Sequence, residues 1–243
     1  MRIFSWPRRL GLHALSLVSP PACPVCQKPL PRQGLSILCA RCRPSLAPRS
    51  LCLRCGRELP KLAGLANHQA LSCRFCRPLH PKFQGIISLA PYQGTWREAV
   101  LTFKSQPQSD LTWQLAHKIR RMVERYFSWK TIHAIVPVPA RQNRETHPAY
   151  RLALNLSSIS RRPCLPVLAF TKKVLPQRGL TRGERLRNMR RTLISRQPLH
   201  GQTVLVVDDV MTTGATVQEC ARALKNAGAQ AVFAALLAQG TLE

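Results

Sequence analysis

Eight of the ten cysteines fall before residue 77, and they fall as four Cys-x-x-Cys pairs: Cys23/Cys26, Cys39/Cys42, Cys52/Cys55 and Cys73/Cys76. A two-residue gap lets two thiolates turn back on one ion. The longer intervals between pairs are the reach of short hairpins that bring a second knuckle over to complete a tetrahedron. The first third of such a chain has few large apolar side chains and can hardly assemble a core without metal. The pattern predicts two structural zinc ions, Zn2+ held by four thiolates each, with no open coordination position left for chemistry. Consecutive pairs sharing an ion is the preferred arrangement. An interleaved one, first pair with third and second with fourth, fits the spacing as well. A secreted disulfide scaffold is the competing reading, and the enzyme-like sequence beyond residue 80 counts against it.

Residues 1–20 imitate a signal peptide, with Arg8 and Arg9, an apolar stretch from Leu10 to Val18, and then Ser19-Pro20-Pro21. His13 interrupts that stretch, and the segment runs directly into the first cysteine pair. An amphipathic helix packed on the zinc module, with Leu10, His13, Ala14 and Leu17 on one face, fits equally. No run of eighteen apolar residues occurs, so no membrane span is expected and the location expected is cytoplasmic. Charge narrows the partners further. Thirty-seven Lys and Arg stand against ten Asp and Glu, a formal net charge of +27. Such an excess suits polyanions, either nucleic acid or phosphate-rich small molecules. Residues 2–82 hold one acid, Glu58, and residues 172–196 hold one, Glu184, among many basic side chains. Both stretches can grip a phosphate backbone, and both can equally be solvated basic surface. No base-reading motif is present, so sequence-specific binding is not expected.

The remaining sequence alternates strand and helix signals. Apolar runs predict strands over 84–92, 132–138, 203–207 and 231–238. Period-3.6 patterns predict helices over 95–104, 111–129, 149–159 and 216–227. In the second of these, Leu111, Leu115, Ile119, Met122, Val123 and Tyr126 share a face. This alternation implies an α/β open, mostly parallel sheet with helices on both faces. The expected organisation is a leader segment over 1–20, a double zinc-ribbon module over 21–80 and the α/β domain over 81–243.

The segment with the most chemistry is Val204-Leu-Val-Val-Asp208-Asp209-Val-Met-Thr212-Thr213-Gly214-Ala215-Thr216. An apolar strand delivers two adjacent acids at its carboxyl end, the edge at which open α/β sheets bind ligands. The turn that follows offers backbone N–H groups, three threonine hydroxyls and the positive end of a helix. Gly214 allows close approach. Together these form a cradle for a phosphate monoester. The carboxylates would repel such an anion, so their natural partners are sugar hydroxyls or a hydrated Mg2+.

This segment resembles the 5-phosphoribosyl-1-pyrophosphate (PRPP) binding motif of type I phosphoribosyltransferases. Four Cys-x-x-Cys pairs ahead of such a domain resemble the ComF family. The likeness extends to Leu101-Thr-Phe-Lys104, to Val136-Pro-Val-Pro139, to Gln177-x-x-Leu180 and to Arg185-x-x-Asn188. It implies a sheet core with a small hood, Asp208 and Asp209 on the ribose hydroxyls, and Thr212, Thr213, Gly214, Ala215 and Thr216 around the 5-phosphate. A reaction would join a nucleophile to the anomeric carbon as pyrophosphate leaves, with Mg2+ accompanying PRPP. Lys104, Arg141, Arg144, Arg185 and Arg187 are the candidates for the pyrophosphate. The family's link to natural competence implies single-stranded DNA and the competence helicase machinery as partners. It also opens a second role, a non-catalytic nucleic-acid-binding accessory that uses the fold as scaffold or sensor. One segment departs from the family. Where its members carry Arg-Gly-Phe-Asn-Gln, this chain has Pro148-Ala149-Tyr150-Arg151-Leu152. Cys220 is expected on the core face of its helix, and Cys164 in a loop.

Overall fold

The computed structural model describes residues 22–23, 25–30, 38–42, 52, 54–56, 82–105, 109–141, 143, 145–172 and 181–240. The expected leader helix, Cys73, Cys76, Arg144 and the Gln177–Leu180 pair lie outside the described residues.

Four parallel strands form the main sheet in the order β1-β6-β5-β2: β1 (Gly85–Pro91), β2 (Ala134–Pro137), β5 (Thr203–Met211) and β6 (Ala231–Gln239). The order follows from burial. Both faces of β5 are covered, so its sequence is apolar at successive positions instead of alternating. Leu205, Val206 and Val207 are all inaccessible to solvent, and such side chains contribute roughly 1.5–3 kcal/mol each. Period two sends them to different cores. Leu205 and Val207 pack with α1 (Gly94–Ser105), α2 (Ser109–Tyr126) and α3 (Pro148–Ser160) on one face. Val204 and Val206 pack with α5 (Ala215–Asn226) on the other.

A small hood completes the described elements. It comprises an antiparallel pair, β3 (Leu168–Phe170) with β4 (Leu193–Ser195), and between them α4 (Arg182–Met189). The start of α4 is set by a capping box. The Thr181 backbone N–H donates to Glu184 at 2.7 Å, and the Glu184 N–H donates to the Thr181 hydroxyl at 3.4 Å. The hood is tied to the sheet layer by Glu219 on α5, which accepts the Leu193 N–H at 3.1 Å and pairs with Arg222 at 2.6 Å. Arg222 in turn donates to the Leu193 carbonyl at 2.7 Å.

The strands and helices expected from periodicity form, although the helix expected over 111–129 ends at Tyr126, and three further differences stand out. Strand β5 continues four residues beyond the expected end at 207, because backbone pairing with β6 persists through Met211↔Gln239. Part of the expected basic arm over 172–196 is folded as α4 and β4. Cys164, placed in a loop by sequence, forms an isolated parallel bridge with Ile135 and so extends the sheet beyond β2. Cys220 is buried on α5, as its helical position predicts.

The Cys-rich segment docks on the same scaffold. Cys23, Leu30, Leu38 and Cys42 are buried in the cluster that α1, α2 and α3 share with the sheet. At the third pair, Gly56 carries φ +74°, and its carbonyl accepts the Ser88 hydroxyl of β1 at 3.2 Å. A Cβ there would stand 2.9 Å from Gln239 Oε1 and 3.0 Å from Ile86 Cγ2. Only glycine meets both the backbone and the space requirement.

Candidate functional site

The site arises where β2 stops. Val138 still donates to the Val207 carbonyl at 3.0 Å, but β2 ends at Pro137, opposite Val207. Residues 208–211 of β5 therefore run beyond their neighbour on that side. Asp208 and Asp209 occupy the first two of these positions, and both line one cavity of about 680 Å3 at this edge. The remaining walls include Lys104 from α1, Pro139, Arg141, Asn143, Thr146 and His147 after β2, Phe170 and Met189 from the hood, and Thr216 from α5.

The two acids live in different environments. Asp209 lies in the same register as Leu205 and Val207, on the α1 side, and its Oδ2 is 3.1 Å from Lys104 Nζ. Asp208 lies in register with Val204 and Val206, on the α5 side. Burial, and then the charge of Asp209, push its carboxyl up to about 8, although the Asp209 N–H and Lys104 oppose the shift. Its Oδ1 accepts that N–H at 2.8 Å. The neighbouring Cys220 thiol is pushed up as well, by burial first and then by Asp208. Adjacent carboxylates thus differ in surroundings, one paired with a lysine and the other buried and poised to bind a proton or a cationic or hydroxyl-bearing ligand.

Behind them the chain turns through Thr212, Thr213 and Gly214 into α5. Gly214 is the N-cap with φ +80°, a left-handed conformation that favours glycine. The Thr213 hydroxyl accepts the Ala215 N–H at 3.3 Å. Gly240 braces the turn by donating to the Met211 carbonyl at 2.7 Å. A Cβ on Gly240 would stand 3.3 Å from Thr212 Cα, so a side chain there would crowd the turn. From the hood, Arg185 reaches the same turn and donates to the Thr212 hydroxyl at 3.1 Å.

Of the residues singled out from sequence, Lys104, Asp208, Asp209 and Thr216 share the cavity, and Arg185 joins them through Thr212. Arg141 also lines it, with its guanidinium 5.9 Å from the Phe170 ring centre. Arg187 is exposed on α4 and is not among the described lining residues. The segment that departs from the family pattern turns inward. Ala149 is fully buried, and Arg151 stacks over Phe103 at 5.7 Å and donates to the Phe103 carbonyl at 3.5 Å. Asn143, Thr146, His147 and Phe170 were not anticipated. Their only signal in the sequence is position, since loops leaving the carboxyl edge of such a sheet are where ligands are met.

At the other centre, the Sγ atoms of Cys23, Cys26, Cys39 and Cys42 all lie within 4.8 Å of one another. Cys26 and Cys39 are 3.6 Å apart. Four sulfurs about 2.3 Å from a tetrahedral zinc stand about 3.8 Å apart, whereas a disulfide needs about 2.05 Å. The donor set fits a soft divalent ion and joins the first pair to the second, which is the consecutive arrangement. The crowded thiols also perturb one another. Burial raises the Cys23 thiol, but backbone N–H groups of Cys39, Cys26 and Val25 outweigh it and bring it to about 6. Cys42, hemmed in by the Cys26 thiol and by burial, is pushed up to about 12. Cys52 forms a tight turn, its carbonyl accepting the Cys55 N–H at 3.1 Å, and the fourth pair that would complete its site lies outside the described residues.

A mostly parallel sheet with a hood, an acidic strand end and a threonine-glycine turn define a phosphoribosyltransferase-type protein. The phosphoribosyl transferase domain profile matches residues 179–241, which span α4, β4, β5, α5 and β6. Over most of its length the chain is also similar to curated proteins. It is 27% identical to the DNA utilization protein YhgH of Escherichia coli K12, over 89% of this chain and 96% of that protein. It is 27% identical to Competence protein F of Haemophilus influenzae, over 80% and 87%. The YhgH protein of Salmonella typhi is 28% identical over 89% and 96%. With a Cys-rich segment ahead of this domain, the chain is similar to these DNA utilization and competence proteins over most of its length.

Proposed function

We propose that the chain binds PRPP, or a related ribose 5-phosphate, in the cavity at the end of β5 and serves DNA uptake or utilisation. The observation that carries this reading is that Asp208 and Asp209 share one cavity with Thr216, which lies in the first turn of α5 just behind its Gly214 cap. The turn and the first turn of α5 would receive the 5-phosphate. The two acids would meet the ribose hydroxyls, and Lys104, Arg141 and Arg185 would face the negative charge of the pyrophosphate. Mg2+ bound with PRPP would neutralise part of that charge. If turnover occurs, the sugar becomes cation-like as pyrophosphate leaves, and the carboxylate of Asp209 would stabilise it electrostatically. The cysteine centre would hold zinc in a structural role.

The +27 charge and the names of the relatives favour a second role beside this one, as a single-strand-binding accessory in which the pocket acts as a ligand sensor. One experiment separates the two. Isotope-labelled PRPP is incubated with the protein, with and without single-stranded DNA, and pyrophosphate release is followed. Release supports an enzyme, whereas binding without release supports a sensor. The double substitution Asp208→Asn with Asp209→Asn should abolish PRPP binding, and unchanged affinity by calorimetry would reject the site.

A further inference from the structure

His147 is the last residue before α3 and lines the same cavity as Lys104, Arg141 and Asp209. Its carbonyl accepts the Arg151 N–H at 3.1 Å, but its side chain caps nothing. The ring nitrogen Nδ1 is sealed from solvent and has no hydrogen-bond partner. A neutral imidazole must place one proton, and orphaned buried N–H groups are rare because they forfeit hydration without compensation. The proton therefore belongs on Nε2, the nitrogen left to meet the cavity, and a second proton would create the same orphan at Nδ1. The surroundings agree. Burial first, and then Lys104 on α1 and Arg151 on α3, hold the imidazole below its ordinary range against the opposing charge of Asp209 on β5.

We infer that His147 is a substrate-binding residue that presents a fixed, neutral Nε2–H donor to the diphosphate of a phosphoribosyl ligand. This rests on the ribose-phosphate reading of the cavity and adds to it a residue and a point of contact. The threonine-glycine turn receives the 5-phosphate on the α5 side. His147 lines the cavity together with Lys104 and Arg141, the lysine and arginine among its described lining residues. A neutral donor in that position strengthens the hold on an oxyanion without adding a further charge to hold the product back. The role also accounts for the segment that departs from the family. Its arginine turns into the core over Phe103, and the residue just ahead of it supplies a polar group to the cavity.

The test uses the full-length protein and three probes: PRPP with Mg2+, pyrophosphate with Mg2+, and ribose 5-phosphate. Affinities are measured by calorimetry for wild type, His147→Ala and His147→Gln, whose amide N–H reaches the place of Nε2–H. The alanine variant should bind PRPP and pyrophosphate about tenfold more weakly and ribose 5-phosphate as wild type does, and glutamine should recover most of the loss. Nitrogen-15 spectra of the imidazole should show the neutral Nε2–H tautomer. Equal weakening toward ribose 5-phosphate, no weakening at all, or a protonated Nδ1 would overturn the role of His147. Wild-type binding of pyrophosphate without ribose 5-phosphate would instead sink the ribose-phosphate reading and leave the His147 contact standing. Binding of none of the three overturns both.

Discussion

Asp208 and Asp209 are neighbours in sequence but face opposite sides of a sheet, and the consequence can be measured without any ligand. Asp209 has Lys104 at 3.1 Å, whereas Asp208 is buried and its carboxyl rises from the ordinary 3.8 to about 8. Between those two values the folded protein holds a proton that the unfolded chain has released. Stability must therefore fall as pH rises from about 4 to about 8, and then level off. Replacing the carboxyl by an amide keeps an oxygen for the Asp209 N–H and removes the charge. Asp208→Asn should match wild type near pH 4 and exceed it at pH 8 by on the order of 1–2 kcal/mol, a shift of a few degrees in Tm. Denaturant titrations at the two pH values check this. A variant destabilised at pH 8 would mean that the carboxylate has a cationic partner beyond Lys104. On the proposed reading of the cavity, the same substitution should also weaken PRPP binding.

At the scale of elements, the sheet edge is rigid where it meets α5 and depends on a few polar ties where it meets the hood. Glu219 holds both Arg222 and the Leu193 N–H. Burial raises its carboxyl, but these donors outweigh burial and keep it below the ordinary 4.5. The stability it contributes is present above that value and is lost as pH falls through the lower folded one. Glu219→Ala leaves a buried N–H and a guanidinium without their acceptor and should cost about 1–3 kcal/mol. Because the tie ends on β4, the loss should appear first as faster amide exchange in the hood, with the β5–β6 ladder unaffected; uniform loss across the sheet would count against a local tie. This division between rigid sheet and tied hood is also the division between what could and could not be read in advance. Strands β1, β5 and β6 and helix α5 are apolar runs or clean periodicities, and so is the strand-turn-helix that carries Asp208 to Thr216. The hood strands are three residues long, and α4 is polar, so neither has a pattern to detect. The extension of β5 through two acids contradicts strand propensity and is carried by pairing with β6 alone. His147 has no neighbours in sequence that mark it, since the loop that places it acquires meaning only once β2 ends short.

At the scale of the whole molecule, a potential metal centre and a basic charge excess meet in the Cys-rich segment. Cys23, Cys42, Leu30 and Leu38 share a buried cluster with α1, α2 and α3, and Cys26 and Cys39 pack against it, so a chelator that strips the Cys23–Cys42 centre should lower Tm of the entire chain. Elemental analysis of the untreated protein should find at least one zinc per chain; less than that, with oxidised thiols, would restore the disulfide alternative. The basic excess gives the firmer test. If single-stranded DNA is bound through its backbone, log K must fall linearly with log salt, with a slope of about −0.7 for each phosphate neutralised. Contact with about three phosphates would thus lose about twentyfold in affinity between roughly 50 and 200 mM salt, with little difference between base compositions because no base-reading element is present. Fluorescence anisotropy with labelled oligonucleotides measures both slope and composition dependence. The Cys-rich segment docks on β1 through Gly56 and Ser88 and carries only one acid among its many basic residues. Chelation should therefore flatten the slope as well as weaken binding. A steep slope unchanged by chelation would move the DNA contact to the phosphoribosyl domain, where it would have to compete with PRPP for the charges around the cavity.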